Sequence, residues 1–465
     1  MKSLAKNLIA ATSADAGSRV LGFLVTAYLA RVLGPPAFGL VSIGLSVLGY
    51  AYLFAGPGLN VFGTRQIAAG STAGSIHPGE IVFLRVVLAV VSVALFCVGT
   101  FAVYGVSNEW LTVAIFVCAA IPMAAAGEWY LQGKNAITQL AFARLSMYAA
   151  YLILVVLFVR QADDVAWSAL AFAGSTCVIA LMTLFFMHRT EPRIVLPVGI
   201  EQGWAILRES FPLGVSTILA QTVLNLPVLI VGAILSTADA GLFGSAMKLV
   251  FFALMLDRVF YLLFLPAASR SAALEQFPAL VRIAMKSVLF IAVPVTLIAI
   301  AYASPITVLV YGTGYEAAAP VFAAAMPYFV FTVSSTVLMT VLFAIRQEKA
   351  YLAGLSIGTT VLVILSLGLT AFLGTLGSAI ALSVSELLMV VLLARSVKAL
   401  ASITCGGILL AYLGAALVAI VVFVLCAGLP AGLQPTTALV AYLLSLAGLK
   451  GFTIDDLRFL LQRIA

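Results

Sequence analysis

Residues 403–427, ITCGGILLAYLGAALVAIVVFVLCA, run for 25 positions without a charged side chain. A helix of that length, rising about 1.5 Å per residue, is longer than the roughly 30 Å of hydrocarbon in a bilayer. Similar stretches recur from end to end. Splitting the chain at turn residues and charges gives apolar segments near 8–33, 38–63, 81–104, 109–130, 138–160 and 165–187. A second series follows near 211–235, 239–266, 280–302, 316–345, 350–373 and 377–395, and then come 403–427 and 435–449. The 465 residues are 64% hydrophobic and 9% charged, with mean hydropathy +1.20; soluble domains carry about a quarter charged residues. Hydrocarbon supplies no water for backbone groups, and the polar alternation of a membrane barrel strand is absent, so each segment is expected to be a helix. The expected fold class is an all-α integral membrane protein of about 14 transmembrane helices.

The net charge of +7 is not gathered into a cluster dense enough to track a phosphate backbone, so no nucleic-acid partner is expected. Topology explains it instead. Loops on one side carry Lys2, Lys6, Arg65, Lys134, Arg189, Arg270, Arg346, Lys349, Arg395 and Lys398, whereas the opposite loops hold little beyond Arg160. By the positive-inside rule both termini are cytoplasmic and the helix count is even. Cys97, Cys118, Cys177, Cys405 and Cys426 fall in apolar runs without CxxC spacing and read as small core residues, with no metal site or cofactor expected. His77 and His188 stand apart in polar loops and read as solvated surface side chains. MKSLAKN has the positive start of a signal peptide, but the following stretch contains Asp15 and Arg19 and continues to Leu33, which predicts a retained first helix.

The longest cytoplasmic loop, 188–210, joins two six-helix halves. Segment starts at 38, 81, 109, 138 and 165 recur at 239, 280, 316, 350 and 377, and Phe38-Gly39-Leu40 matches Ala240-Gly241-Leu242 at an offset of 202. Six is even, so both halves enter from the same side and their symmetry axis lies along the membrane normal, as in alternating-access transporters. The expected organisation is an N-lobe at 1–187, a cytoplasmic linker at 188–210, a C-lobe at 211–399, and two further helices with a cytoplasmic tail at 400–465.

A charge at the centre of a membrane helix costs about 2.5–3.5 kcal/mol, so such residues face a cavity or a partner. Asp15 and Arg19 share a face of the first helix at i,i+4 spacing, which suits a structural ion pair as well as a site. Lys248 stands in the otherwise apolar GLFGSAMKLVFF and has no acid within reach on its own helix, leaving snorkelling or a cavity. Glu386 lies mid-segment as an ion site, a partner for a cation or a packing residue, and Asp257 and Arg258 lie nearer a helix end. Arg19 and Lys248 occupy corresponding helix pairs of the two halves, so they are expected to meet in a central cleft. Arginine's fork and lysine's point charge suit phosphate or pyrophosphate there. Gly56-Pro57-Gly58, Pro227, Pro294 and Met326-Pro327 can kink their helices, although glycine and proline also serve close packing.

ARVLGPPAFGLVSIGLSVL after the first helix, GTRQIA at 63–68, ADAGLFGSAMKL at 238–249, VYGTGYEAAAPVF at 310–322 and LGTLGSAIALSVSELLMVVLLAR at 373–395 together resemble the Wzx-type polysaccharide flippases of the MOP (MATE-like) superfamily. The resemblance implies two six-helix lobes around a cationic cavity, two additional helices, and alternating access in the bacterial inner membrane. It implies a polyprenyl-pyrophosphate-linked oligosaccharide as substrate, drawn from membrane lipid, with polysaccharide polymerase and chain-length machinery as partners. It also places Arg19 and Lys248 at cations of the related peptidoglycan-precursor flippases, and Arg65 where a further arginine is common. Many relatives carry a carboxylate mid-way through segment seven, where this chain has Asn225-Leu226-Pro227, and its segment eleven lacks their usual asparagine, which puts ion coupling through segment seven in doubt. The site residues expected are thus Arg19, Lys248, Arg65 and Asp15 for substrate, and Glu386, Asn225 and Asp257 for coupling or cavity lining. A cation antiporter of the same superfamily would need more intramembrane carboxylates. A membrane enzyme would need charge on an external loop, and the longest, 303–315, has none.

Overall fold

Gly34, followed by Pro35 and Pro36, interrupts what is otherwise a continuous helix, α1 (Lys2–Phe54), with φ 70° and ψ 172°. Only glycine adopts that region without strain, and the break separates the first two membrane segments. The computed structural model describes residues 2–70, 76–191, 199–271, 274–426, 433–449 and 451–452, with side chains from residue 17 onward except at 259, 262 and 263. All elements among them are helical. After α1 come α2 (Leu59–Ala69), α3 (Pro78–Tyr104), α4 (Asn108–Cys118), α5 (Ala120–Ala125), α6 (Glu128–Gly133), α7 (Ile137–Phe158) and α8 (Val165–Thr190). Then follow α9 (Ile200–Ile234), α10 (Thr237–Ala253), α11 (Met255–Ser271), α12 (Phe277–Ala301), α13 (Ala303–Tyr311), α14 (Ala318–Ala344), α15 (Glu348–Leu373), α16 (Thr375–Ala401), α17 (Gly406–Leu425) and α18 (Leu433–Gly448).

Twelve helical stretches among the described residues are long and apolar enough to cross a membrane. The first, Gly17–Phe54, contains two of the expected segments divided at Gly34, and the last expected segment is the shorter helix Leu433–Gly448. Four local expectations need correction. The stretch 188–210 is not all loop, because α8 runs to Thr190 and α9 begins at Ile200. The 303–315 connection is helical rather than open, containing α13 and a 3-10 turn at Thr313–Tyr315. His77 is no free surface group: its Nδ1 accepts from Gly79 N at 3.1 Å and caps α3, while His188 lies in the last turn of α8. Of the cysteines only Cys405 is buried; Cys118 and Cys177 are exposed on helix faces, where a small apolar side chain meets lipid at little cost.

Packing divides the chain inside α10. Unit 1 comprises Met1–Ser245 with Val310–Tyr315, and unit 2 comprises Ala246–Leu309 with Glu316–Ala465. In unit 2 the apolar window of α14 is 72% buried and that of α17 only 17%, so α14 is the core helix and α17 presents Leu410, Leu417 and Leu425 outward. Such an apolar exterior is what lipid solvates.

The glycines matched by the 202-residue offset meet inside unit 1. A Cβ on Gly39 would lie 1.7 Å from Thr237 O, and one on Gly241 would lie 2.0 Å from Pro35 O. Adding 202 to 35 and 39 gives 237 and 241, so each half contributes the same pair of positions and the contact is reciprocal, as across a two-fold axis. Hydrogen at Cα lets the two backbones touch, which is how small residues hold membrane helices together. The returning segment Val310–Tyr315 docks on the same unit: Arg31 Nε donates to Val310 O at 2.7 Å, Tyr311 Oη to Ser245 O at 3.0 Å, and the Tyr315 ring meets Phe38 edge-on. Burial pushes both phenols above their ordinary range and keeps them neutral.

Candidate functional site

Polar groups concentrate at one place in each unit. In unit 1, Arg85 of α3 is 2% exposed. Its Nη2 donates to Tyr52 Oη at 2.9 Å and its Nη1 to Ala126 O at 3.3 Å, and its guanidinium lies 5.7 Å from the centre of the Tyr52 ring. Asn60 Nδ2 donates to the same hydroxyl at 3.2 Å. Beside them is a cavity of about 230 Å³ whose lining includes Tyr52, Asn60, Ala126, Glu128, Trp129 and Gln132. Glu128 at the start of α6 is gripped by Arg144 of α7, with Nη2 to Oε2 at 2.8 Å. Local sequence builds this wall: Gly56-Pro57-Gly58 turns the chain so that Tyr52 and Asn60 face each other, and the break between α5 and α6 frees the Ala126 carbonyl for Arg85.

In unit 2 a polar cluster around α14 is acidic. Thr332, Ser335 and Thr336 lie along one face of α14 at i, i+3, i+4 spacing. Ser335 Oγ donates to Glu386 Oε1 of α16 at 2.6 Å, and Thr336 Oγ1 donates to Asp257 Oδ2 of α11 at 3.0 Å. Asp257 Oδ1 and Thr332 Oγ1 are buried without a hydrogen-bond partner. Among the described residues no three His, Cys, Asp or Glu side chains gather as metal ligands. Of the two carboxylates, Asp257 keeps a buried oxygen that a proton or a small cation could meet.

The residues expected from sequence fall as follows. Arg19 is exposed on α1, and the side chain of Asp15 lies outside the described residues. Arg65 is exposed towards the end of α2. Lys248 is half-buried in the middle of a membrane span and has no hydrogen-bond or ion-pair partner among the described residues. Asn225 donates to Gln221 O and Oε1 of its own helix at 3.2 and 3.1 Å and packs on Gly49 of α1, so its amide is engaged in packing α9 against α1. Glu386 and Asp257 share α14 as their hydrogen-bonding neighbour. Sequence reading missed Arg85, Glu128 and Arg144. Arg85 stands inside the segment 81–104 and was there to be found by the same cost argument that singled out Lys248; the Glu128–Arg144 pair joins two segments across a turn, which no helical spacing rule reveals.

The family profile for polysaccharide biosynthesis proteins matches residues 4–270. A protein named "Putative O-antigen transporter" from Escherichia coli (strain K12) is 22% identical over 205 residues, 43% of this chain and 46% of that relative, so the chain matches less than half of its length. Among solved structures, the lipid II flippase MurJ in an inward closed conformation superposes with TM-score 0.68 at 14% identity, covering 97% of this chain and 99% of that one. An inward-facing multidrug resistance MATE family transporter of the MOP superfamily gives TM-score 0.67 at 13% identity, covering 83% and 96%. At such identities the likeness is one of fold alone: the chain's helices follow the arrangement seen in those two structures. With more than half of its length under that profile, the chain belongs to the polysaccharide biosynthesis protein family.

Proposed function

We propose that this chain is a flippase that carries a polyprenyl-pyrophosphate-linked oligosaccharide, an O-antigen or other polysaccharide repeat unit, from the inner to the outer leaflet of the bacterial inner membrane by alternating access. The observation that carries the reading is Lys248, a cation kept in mid-membrane with no partner among the described residues, in a member of a polysaccharide biosynthesis family. An isolated lysine there costs about 2.5–3.5 kcal/mol and is retained where it meets an anion that comes and goes. Lys248 and Arg19 bind the pyrophosphate, with Arg65 and Asp15 shaping the approach on the cytoplasmic side, where both termini lie. The polyprenyl tail stays in lipid and no covalent bond is made or broken. Polymerase and chain-length machinery receive the product. Six-helix lobes at 1–187 and 211–399 rock about the 202-residue repeat. An inside-negative potential assists outward movement of an anion by about 2.3 kcal/mol per charge per 100 mV. Asp257 and Glu386 couple the cycle to a proton or cation, whereas Asn225, engaged by Gln221, takes no part in ion exchange.

In cells lacking the native gene, K248A and R19A are expected to leave lipid-linked oligosaccharide in the inner leaflet and to cut surface polysaccharide at least tenfold, with K248R restoring much of it. Normal surface polysaccharide in K248A cells, at wild-type protein levels, would reject the assignment.

A further inference from the structure

The cavity of unit 1 has a donor on its wall with nothing to donate to. Tyr52 Oη receives Arg85 Nη2 and Asn60 Nδ2, which fills its two acceptor positions and leaves its own proton without an acceptor among the described groups. A donor left unmade away from water costs about 1–3 kcal/mol, so this one calls for an occupant that brings oxygen to it.

Size and charge narrow that occupant. About 230 Å³ is room for about seven waters at roughly 30 Å³ each, more than a structural water site needs, and below the roughly 300–1,000 Å³ of drug-sized pockets. One ring fits that range. A phosphate group only accepts, and it would meet the Glu128 carboxylate, whose Oε2 lies 2.8 Å from Arg144 Nη2. A sugar hydroxyl both donates and accepts: it can give its proton to Glu128 and receive that of Tyr52, while the Gln132 amide serves either role. The Tyr52 and Trp129 rings add an apolar wall for the C–H face of a pyranose. Arg85 stands behind that wall, held by neutral oxygens only, and its charge strengthens the Tyr52 hydroxyl as a donor.

We propose that the cavity bounded by Tyr52, Asn60, Glu128, Trp129 and Gln132 is a subsite for one sugar ring of the transported glycan, and therefore a determinant of which glycan is accepted. The inference rests on the flippase reading above and adds to it a place for the sugar distinct from the cations assigned to the pyrophosphate.

The test uses the full-length protein in nanodiscs and four probes: polyprenyl pyrophosphate alone, and the same lipid bearing a single glucose, galactose or N-acetylglucosamine. Wild type is expected to bind at least one glycolipid about tenfold tighter than the bare lipid. W129F and Q132A should reduce that margin to twofold or less, with affinity for the bare lipid within twofold of wild type. Q132A changes an exposed amide and should leave the melting temperature unmoved, so a loss of margin there is not a folding defect. Equal affinity of wild type for all four lipids, or an undiminished margin in both variants, overturns the subsite and leaves the flippase reading standing. No binding of any of the four overturns both.

Discussion

Arg85 in unit 1 is gripped by neutral oxygens from two different segments, Tyr52 Oη and Ala126 O, whereas Asp257 and Glu386 in unit 2 are each touched by one hydroxyl of the same helix, α14. The cation is 2% exposed and fixed at two of its nitrogens; Asp257 still has a buried oxygen without a partner. A group held from two sides orients its neighbours and stays put. One held from a single side retains capacity for a proton or cation, and its hydrogen bond can be exchanged when that ion arrives. Unit 1 is thus built to present a fixed surface and unit 2 to respond.

The largest break in this contrast comes from removing the fixed cation. R85L deletes two charge-assisted hydrogen bonds at about 1.5–3 kcal/mol each and strands the Ala126 carbonyl, so a loss of roughly 3–5 kcal/mol is expected, read as a lowered melting temperature in detergent. R85K keeps the charge but reaches only one of the two oxygens, and should fall between R85L and wild type. An R85L protein as stable as wild type would show that the Tyr52 and Ala126 contacts do not organise unit 1.

The same cost argument tells how far the sequence was legible. Apolar runs expose the twelve long spans among the described residues, and the Gly39 and Gly241 match falls on a reciprocal contact whose backbones touch, because repeat position and helix length are local properties. Lys248 was visible as a candidate for a like reason: a charge in an apolar run announces itself. The unit 1 cavity was not. Its wall is assembled from Tyr52, Asn60, Trp129 and Met147, which lie on four helices and lack any common spacing, and Trp129 looks in sequence like an ordinary interfacial aromatic. Asn225, read from sequence as a coupling or cavity-lining residue, shares its amide with Gln221 one turn earlier on the same helix.

Unit 2 is expected to show a split between stability and function. E386Q keeps an oxygen for Ser335 Oγ, and D257N keeps one for Thr336 Oγ1, so each should fold within about 1 kcal/mol of wild type, the ordinary worth of a retained neutral hydrogen bond. Neither amide can take up or release a proton, and transport of lipid-linked oligosaccharide into the outer leaflet should drop about tenfold in each. If both variants transport normally, the carboxylates are packing groups and unit 2 resembles unit 1 more closely than their coordination suggests.

The smallest effect is expected at the rim of the unit 1 cavity, and it separates what Glu128 does for the fold from what it does for a ligand. Glu128 and Arg144 are each 30% exposed, so water screens their attraction, and a pair in that position contributes at most about 1 kcal/mol. E128Q should therefore leave the melting temperature nearly unchanged, and what little it loses should vanish in high salt. The same change removes the one carboxylate among the described lining residues and puts an amide donor near the Tyr52 donor already there. A wall without that negative charge suits phosphate better than the wild-type wall does, so E128Q should bind polyprenyl pyrophosphate as well as or better than wild type while losing its preference for the glycosylated lipid. A large loss of stability in E128Q would instead place the ion pair in the framework that holds α6 against α7, and would remove Glu128 from the sugar's side of the account.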